Sequence, residues 1–138
     1  MRKVVLVTGG GRGIGAATCV LAAQKGWDVA VNYAANAEAA QQVVKQIQAT
    51  GARAIAVQAD VADEAQVMRM YEHIDAKLGR LTGLVNNAGG QYISPLASTR
   101  AKGWQAVIDT NLNSMFNVTK QVVADMVEQG FGRIIQIS

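Results

Sequence analysis

The sequence predicts an α/β fold, a doubly wound parallel sheet with helices on both faces. Three observations carry this. Short β-branched apolar runs alternate strictly with longer amphipathic segments, a glycine-rich turn joins the first run to the first helix, and glycines punctuate the helix ends. The strand runs are apolar throughout rather than alternating, as strands covered on both faces require.

Val4-Val5-Leu6-Val7 is the first such run, and Ile14, Ala17 and Leu21 then recur at helical spacing up to a C-cap at Gly26. Residues 27–32 read as a second strand. Asn36 caps a helix with Ala40, Val43, Val44 and Ile47 on one face, ended by Gly51. Ala54-Ile55-Ala56-Val57 is the third strand. Asp63 caps the next helix, whose stripe is Val67, Met70, Tyr71, Ile74 and Leu78, with Gly79 as its stop. Gly83-Leu84-Val85 opens a fourth strand that runs into Asn86-Asn87-Ala88-Gly89-Gly90. A loop carrying Pro95 leads to one long helix expected over about residues 99–128, with Trp104, Val107, Ile108, Leu112, Met115, Val118, Val122 and Met126 as its apolar positions. Gly130 and Gly132 break it, and residues 133–138 begin a fifth strand. No repeat, low-complexity tract or linker interrupts the order, so residues 1–138 are expected to form a single domain.

Composition excludes several classes of function. Half of the 138 residues are hydrophobic and 17% are charged, which suits a folded domain rather than a disordered one. The net charge is +3, but Arg53, Arg69, Lys77, Arg80, Arg100, Lys102, Lys120 and Arg133 sit singly among acids, so no nucleic-acid partner is expected. Cys19 is the one cysteine, which rules out an internal disulfide and fits a reducing, cytoplasmic setting. The apolar run after Arg2-Lys3 is too short for a signal peptide, and no stretch approaches the ~18 apolar residues of a membrane span. His73 lies beside acids with no second histidine in the chain, so no metal site is expected.

The turn Thr8-Gly9-Gly10-Gly11-Arg12-Gly13-Ile14-Gly15 stands where the first strand hands over to the first helix. In an open parallel sheet, ligands bind at the carboxyl ends of strands near the point where strand order reverses. Glycines there let the backbone approach a pyrophosphate, and the helix N-terminus offers unpaired N–H groups and partial positive charge. Dinucleotide binding is therefore expected.

The same residues match the Thr-Gly-x-x-x-Gly-Ile-Gly motif of the short-chain dehydrogenase/reductase family, and Asn86-Asn87-Ala88-Gly89 reproduces that family's Asn-Asn-Ala-Gly. With Asp60-Val61 after the third strand, Asn111 in the long helix and the Gly132–Ser138 ending, the resemblance covers the whole chain in order. The chain is most similar to bacterial 3-oxoacyl-[acyl-carrier-protein] reductases and glucose 1-dehydrogenase-like members. The resemblance implies a Rossmann-like fold, truncated after the fifth strand. It also implies hydride transfer between a nicotinamide and a ketone or secondary alcohol, with a 3-oxoacyl or sugar-like substrate. Gly9, Gly11, Arg12, Gly13, Ile14 and Gly15 would hold the pyrophosphate side of the cofactor. Asp60 and Val61 would border adenine, and Asn87, Ala88 and Gly89 the adenosine ribose. Asp60 read alone is also an ordinary helix-entry residue, and Asn86 and Asn87 are also turn formers.

The end of the second strand discriminates between cofactors. An acid there would bind a ribose 2′-hydroxyl and repel a 2′-phosphate. The chain has Asn32-Tyr33-Ala34 instead, and Arg12 is placed to pair with a 2′-phosphate unless it is only a solvated turn residue. NADP is the expected cofactor, with NAD possible.

The family protonates the substrate oxygen with a tyrosine whose pKa is lowered by a lysine four residues on. No Tyr-x-x-x-Lys exists here, since Tyr33, Tyr71 and Tyr92 are followed four on by Ala37, Asp75 and Leu96. Counting from Gly132-Arg133, Ser138 falls one residue before the family's catalytic serine. Asn111, which in the family holds a water on the proton path, is the one catalytic residue expected, although it also reads as a polar residue kinking the helix. The chain is thus expected to be the front part of a homo-oligomeric enzyme of small-molecule carbonyl or alcohol substrates, inactive by itself. The alternative is a non-catalytic NADP-binding module, or a half-protein completed by a partner chain.

Overall fold

The computed structural model describes residues 2–91 and 93–138. β1 (Val4–Val7), α1 (Gly13–Gln24), β2 (Asp28–Tyr33), α2 (Ala37–Gln48), β3 (Ala54–Gln58), α3 (Glu64–Leu78) and β4 (Leu81–Asn86) alternate as expected. A short 3₁₀ turn, Leu96–Ser98, precedes α4 (Ala101–Ile108), a π-helical segment (Asp109–Asn113) and α5 (Ser114–Gln129), and β5 (Arg133–Gln136) follows. The strands form one parallel sheet in the order β3-β2-β1-β4-β5. The chain steps outward from β1 to β3 and then returns to lay β4 against β1. The carboxyl ends of β1 and β4 therefore flank the point where the winding reverses.

Two apolar layers sandwich the sheet. On one face Val5, Val7, Val29, Val31 and Val85 meet Cys19 and Ala23 of α1 and Val43, Val44 and Ile47 of α2. On the other, Val4, Leu6, Ala30, Val57 and Leu84 meet Val67, Met70, Ile74 and Leu78 of α3 and Val118, Val122 and Met126 of α5. Alternate residues of β1 thus serve opposite layers, which is why its sequence carries no polar position. The Tyr71 hydroxyl donates to the Asp125 carboxylate and ties α3 to α5.

The caps and stripes of α2 and α3 fall where the periodicity places them. Asn36 accepts the N–H of Ala39, and Asp63 accepts those of Ala65 and Gln66, which hold its carboxyl below the ordinary range. Tyr71 is half-buried at the edge of its stripe. In α1 the apolar row points outward: Ile14 and Leu21 are more than half exposed, and Gly15, Cys19 and Ala23 face the sheet. Small side chains let that helix lie close on β1, so volume decides its inner face and hydrophobicity does not. The expected single helix over residues 99–128 begins at Ala101 and is interrupted at Asp109–Asn113. There the Asn111 and Ser114 side chains donate to the carbonyls of Val107 and Thr110, four residues back, and compete with the helical ladder.

At the opposite end of the sheet, Asp28 opens β2 with its side chain fully buried. Burial alone would raise its pKa. The Arg53 N–H (2.9 Å), the Arg53 guanidinium (2.9 Å) and the Arg2 guanidinium (2.8 Å) outweigh it and hold the pKa low. β5 differs from the other strands in being exposed along its length, with Ile135 53% accessible.

A candidate dinucleotide site between the ends of β1 and β4

The turn after β1 is fixed by groups arriving from both neighbouring strands. Thr8 is 2% exposed, and its hydroxyl accepts the N–H groups of Asn87 (2.9 Å) and Ala88 (3.0 Å). Asn87 returns its carboxamide N–H to the carbonyls of Thr8 and Gly9, each at 3.1 Å. Residues 8–9 and 87–88 are thereby locked into one crossing at the head of the sheet. Thr8 was not among the expected site residues. A hydroxyl closing an otherwise apolar buried run is the signal that marks it.

Three glycines of the turn are required by geometry, Gly13 among them with φ +57°. Gly9 has φ +61°, which favours glycine. At Gly15 an added Cβ would stand 2.2 Å from the Gly9 carbonyl oxygen and 2.6 Å from the Asn87 carboxamide nitrogen. Glycine at 15 therefore lets α1 start directly beneath the turn. The helix begins with Arg12 in an extended conformation, no side chain capping its first N–H groups and no acid in its first turn. Those N–H groups and the positive end of the helix dipole lie at the carboxyl end of β1, and they are the donor set an anion needs. Gly11 and Gly13 continue the turn, Ile14 lies exposed at its rim, and Arg12 is exposed with no ion pair among the described residues.

Tyr33 is half-buried at the end of β2. The Asn32 side chain is 2% exposed and turned inward: Oδ1 accepts the Gly9 N–H (3.1 Å), and Nδ2 donates to the carbonyls of Val57 (3.3 Å) and Ala59 (3.2 Å). Asp60 is exposed, with one carboxylate oxygen accepting the Ala62 N–H at 3.0 Å, and Val61 beside it is buried. Beneath the turn, Cys19 is fully buried, and burial pushes its thiol up to about 12. It is a packing residue there.

Gly89 and Gly90 run from the Asn87-Ala88 crossing toward the π segment. The Asn111 carboxamide donates to the Gly90 carbonyl (2.8 Å) and accepts the Gly90 N–H (3.2 Å). A Cβ at Gly89 would stand 2.7 Å from Asn111 Oδ1. Asn111 therefore joins the loop after β4 to the helix and also marks the helix distortion. Asn86 donates to the Thr119 hydroxyl, and its carbonyl accepts the Ile137 N–H, so it braces α5 and β5 rather than the turn. Ser138 is exposed after β5, and Tyr92 lies outside the described residues. His73 faces a polar groove at the outer edge of β3 with Gln58, Gln66 and Arg69. Among the described residues no three His, Cys, Asp or Glu side chains are grouped to hold a metal ion, and no helix is long and apolar enough to cross a membrane.

The site contains features that a dinucleotide would use: a tight glycine cradle, uncapped N–H groups, the exposed Arg12 guanidinium, and no carboxylate at residues 32–34. A family model described as short chain dehydrogenase matches residues 3–138. A 3-oxoacyl-[acyl-carrier-protein] reductase from Synechocystis is 46% identical over 136 residues, covering 99% of this chain and 55% of the relative. The corresponding reductase FabG of Staphylococcus aureus is 41% identical over the whole chain and 56% of its own length. Nodulation protein G of Azospirillum brasilense is 42% identical over 99% of this chain and 56% of its own. The chain thus spans little more than half the length of these curated relatives.

Proposed function

The chain belongs to the short-chain dehydrogenase family, and from that premise we propose that it binds NADP for an oxidoreductase. The enzyme moves a hydride between the nicotinamide and a small ketone or secondary alcohol of 3-oxoacyl or sugar-like type. The observation that carries the reading is the turn itself, where Gly15 brings the uncapped N-terminus of α1 directly under residues 9–13.

In this reading the N–H groups of residues 11–15 hold the pyrophosphate, because those of Gly9 and Gly10 are already donated to Asn32, with Gly9, Gly11, Gly13 and Gly15 supplying the backbone shape and Ile14 the apolar rim. Arg12 pairs with the 2′-phosphate beside Tyr33, where an acid would repel it. Asp60 and Val61 border adenine, and Asn87, Ala88 and Gly89 line the adenosine ribose. When bound, the nicotinamide supplies or accepts the hydride. Asn111 holds the water of the proton path, at the segment its side chain anchors to Gly90. With no Tyr-x-x-x-Lys among its 138 residues, the chain is expected to bind cofactor and catalyse no turnover by itself. The whole protein is expected to be a cytoplasmic homo-oligomer. A second reading, a half-protein completed by another chain, is favoured by one observation, the exposed apolar length of β5.

Titration of the purified protein with NADPH and NADH, followed by nicotinamide fluorescence, tests this. NADPH is expected to bind at least roughly tenfold more tightly, and Arg12→Ala to remove most of that difference while leaving NADH unchanged, as loss of one charge-assisted pair implies. Absence of saturable binding of either dinucleotide to folded protein refutes the proposal.

A further inference from the structure

Asn32 lies at the carboxyl end of β2, beside the glycine turn, and its side chain does not point toward the crevice. It is 2% exposed, and its carboxamide is spent on internal partners: the Gly9 N–H at 3.1 Å, and the carbonyls of Val57 at 3.3 Å and Ala59 at 3.2 Å. Its own carbonyl accepts the Gly10 N–H at 2.8 Å. The Gly9 residue is thus gripped from two sides. Asn32, from β2, holds its N–H, and Asn87, from beyond β4, holds its carbonyl at 3.1 Å. Because Gly9 sits at φ +61° with the Cα of Gly15 close against its carbonyl, the peptide planes around Gly9 determine where α1 begins.

We infer that Asn32 is a positioning residue for the cofactor, acting through the Gly9 amide and never touching the ligand. The inference rests on the dinucleotide reading above. Its two carboxamide ends connect the pyrophosphate turn to the end of β3, one residue before Asp60. The turn and the adenine border are therefore set relative to each other by one side chain. Chemistry also restricts this position. A carboxylate at 32 would face the Val57 and Ala59 carbonyl oxygens, so acid-based selection of NAD has no room here and belongs to the half-buried neighbour Tyr33.

A positioning role makes a prediction that direct contact does not. The pyrophosphate is common to both dinucleotides, so loosening its turn weakens both alike. Asn32→Ala and Asn32→Ser are compared with the parent by NADPH and NADH titration, well below each protein's unfolding temperature. We expect both dissociation constants to rise by the same factor, roughly tenfold, the value of about one hydrogen bond. The NADPH/NADH ratio should stay unchanged, and the Gly9 amide should exchange faster with solvent. A changed ratio would mean that Asn32 contacts the 2′-substituent and would overturn the inference. Parent-like binding by a folded variant, or loss of the fold in both variants, would overturn it too, the latter assigning Asn32 to folding alone. Failure of the parent protein to bind either dinucleotide counts against the functional reading instead.

Discussion

Single residues in the turn differ sharply in what they tolerate. Gly15 leaves no room for a Cβ, whereas a Cβ at Gly11 would meet only Ala40 atoms at 3.5–3.8 Å, ordinary contact distances. Gly15→Ala is expected to destabilise by about 1–3 kcal/mol through overpacking and to weaken dinucleotide binding, while Gly11→Ala stays within about 0.5 kcal/mol of the parent. Urea denaturation with parallel NADPH titration measures both, and equal effects of the two variants would contradict the geometry. The motif in the sequence marks these glycines without ranking them. Asn32 shows the limit of that legibility. Its place at the end of β2 could be read from the chain, but its inward direction depends on β3 lying alongside, which only the folded sheet supplies.

Among the elements, those with the clearest amphipathic contrast were the most legible. Ala40, Val43, Val44 and Ile47 of α2, and Val67, Met70, Ile74 and Leu78 of α3, are all buried, because large apolar side chains stand opposite charged ones. α1 misleads for a physical reason, since its contact face is glycine, cysteine and alanine while Ile14 and Leu21 look outward. β2 carries a further test. The folded pKa of Asp28 lies below its unfolded value of about 4, so its ionised form stabilises the fold above that pH. That contribution is lost as pH falls through the lower folded value. Asp28→Asn should therefore cost about 1–3 kcal/mol at neutral pH by leaving the Arg53 partners under-satisfied. It should also flatten the acid limb of stability, which a series of urea midpoints from neutral pH downward would read. An unchanged acid limb would mean that the arginines do not act through Asp28.

At the scale of the whole molecule, the two ends and two faces of the sheet are finished unequally. α1, α2, α3 and α5 cover β1, β2 and β4, while Ile134 and Ile135 of β5, Ile137 just after it and Val127 of α5 remain accessible, with Val127 and Ile134 lining one shallow groove. A patch of that kind favours association. Sedimentation at micromolar concentrations is expected to give a species heavier than the 14.6 kDa monomer, and Ile135→Lys to shift it toward monomer. A parent that stays monomeric on concentration would refute this. The alternation of elements was legible along the entire chain, but the accessibility of β5 was not, because an apolar strand reads the same whether or not something covers it. The π segment between α4 and α5 has the widest reach. A bulge of this kind amounts to one residue more than a straight α-helix would hold, and each residue of an α-helix turns the chain by about 100°. Asp109–Asn113 therefore works as a phase shifter between two helical registers. Trimming a single residue there would swing Trp104 and its neighbours around the axis relative to Val118, Val122 and Met126, and draw Asn111 away from Gly90.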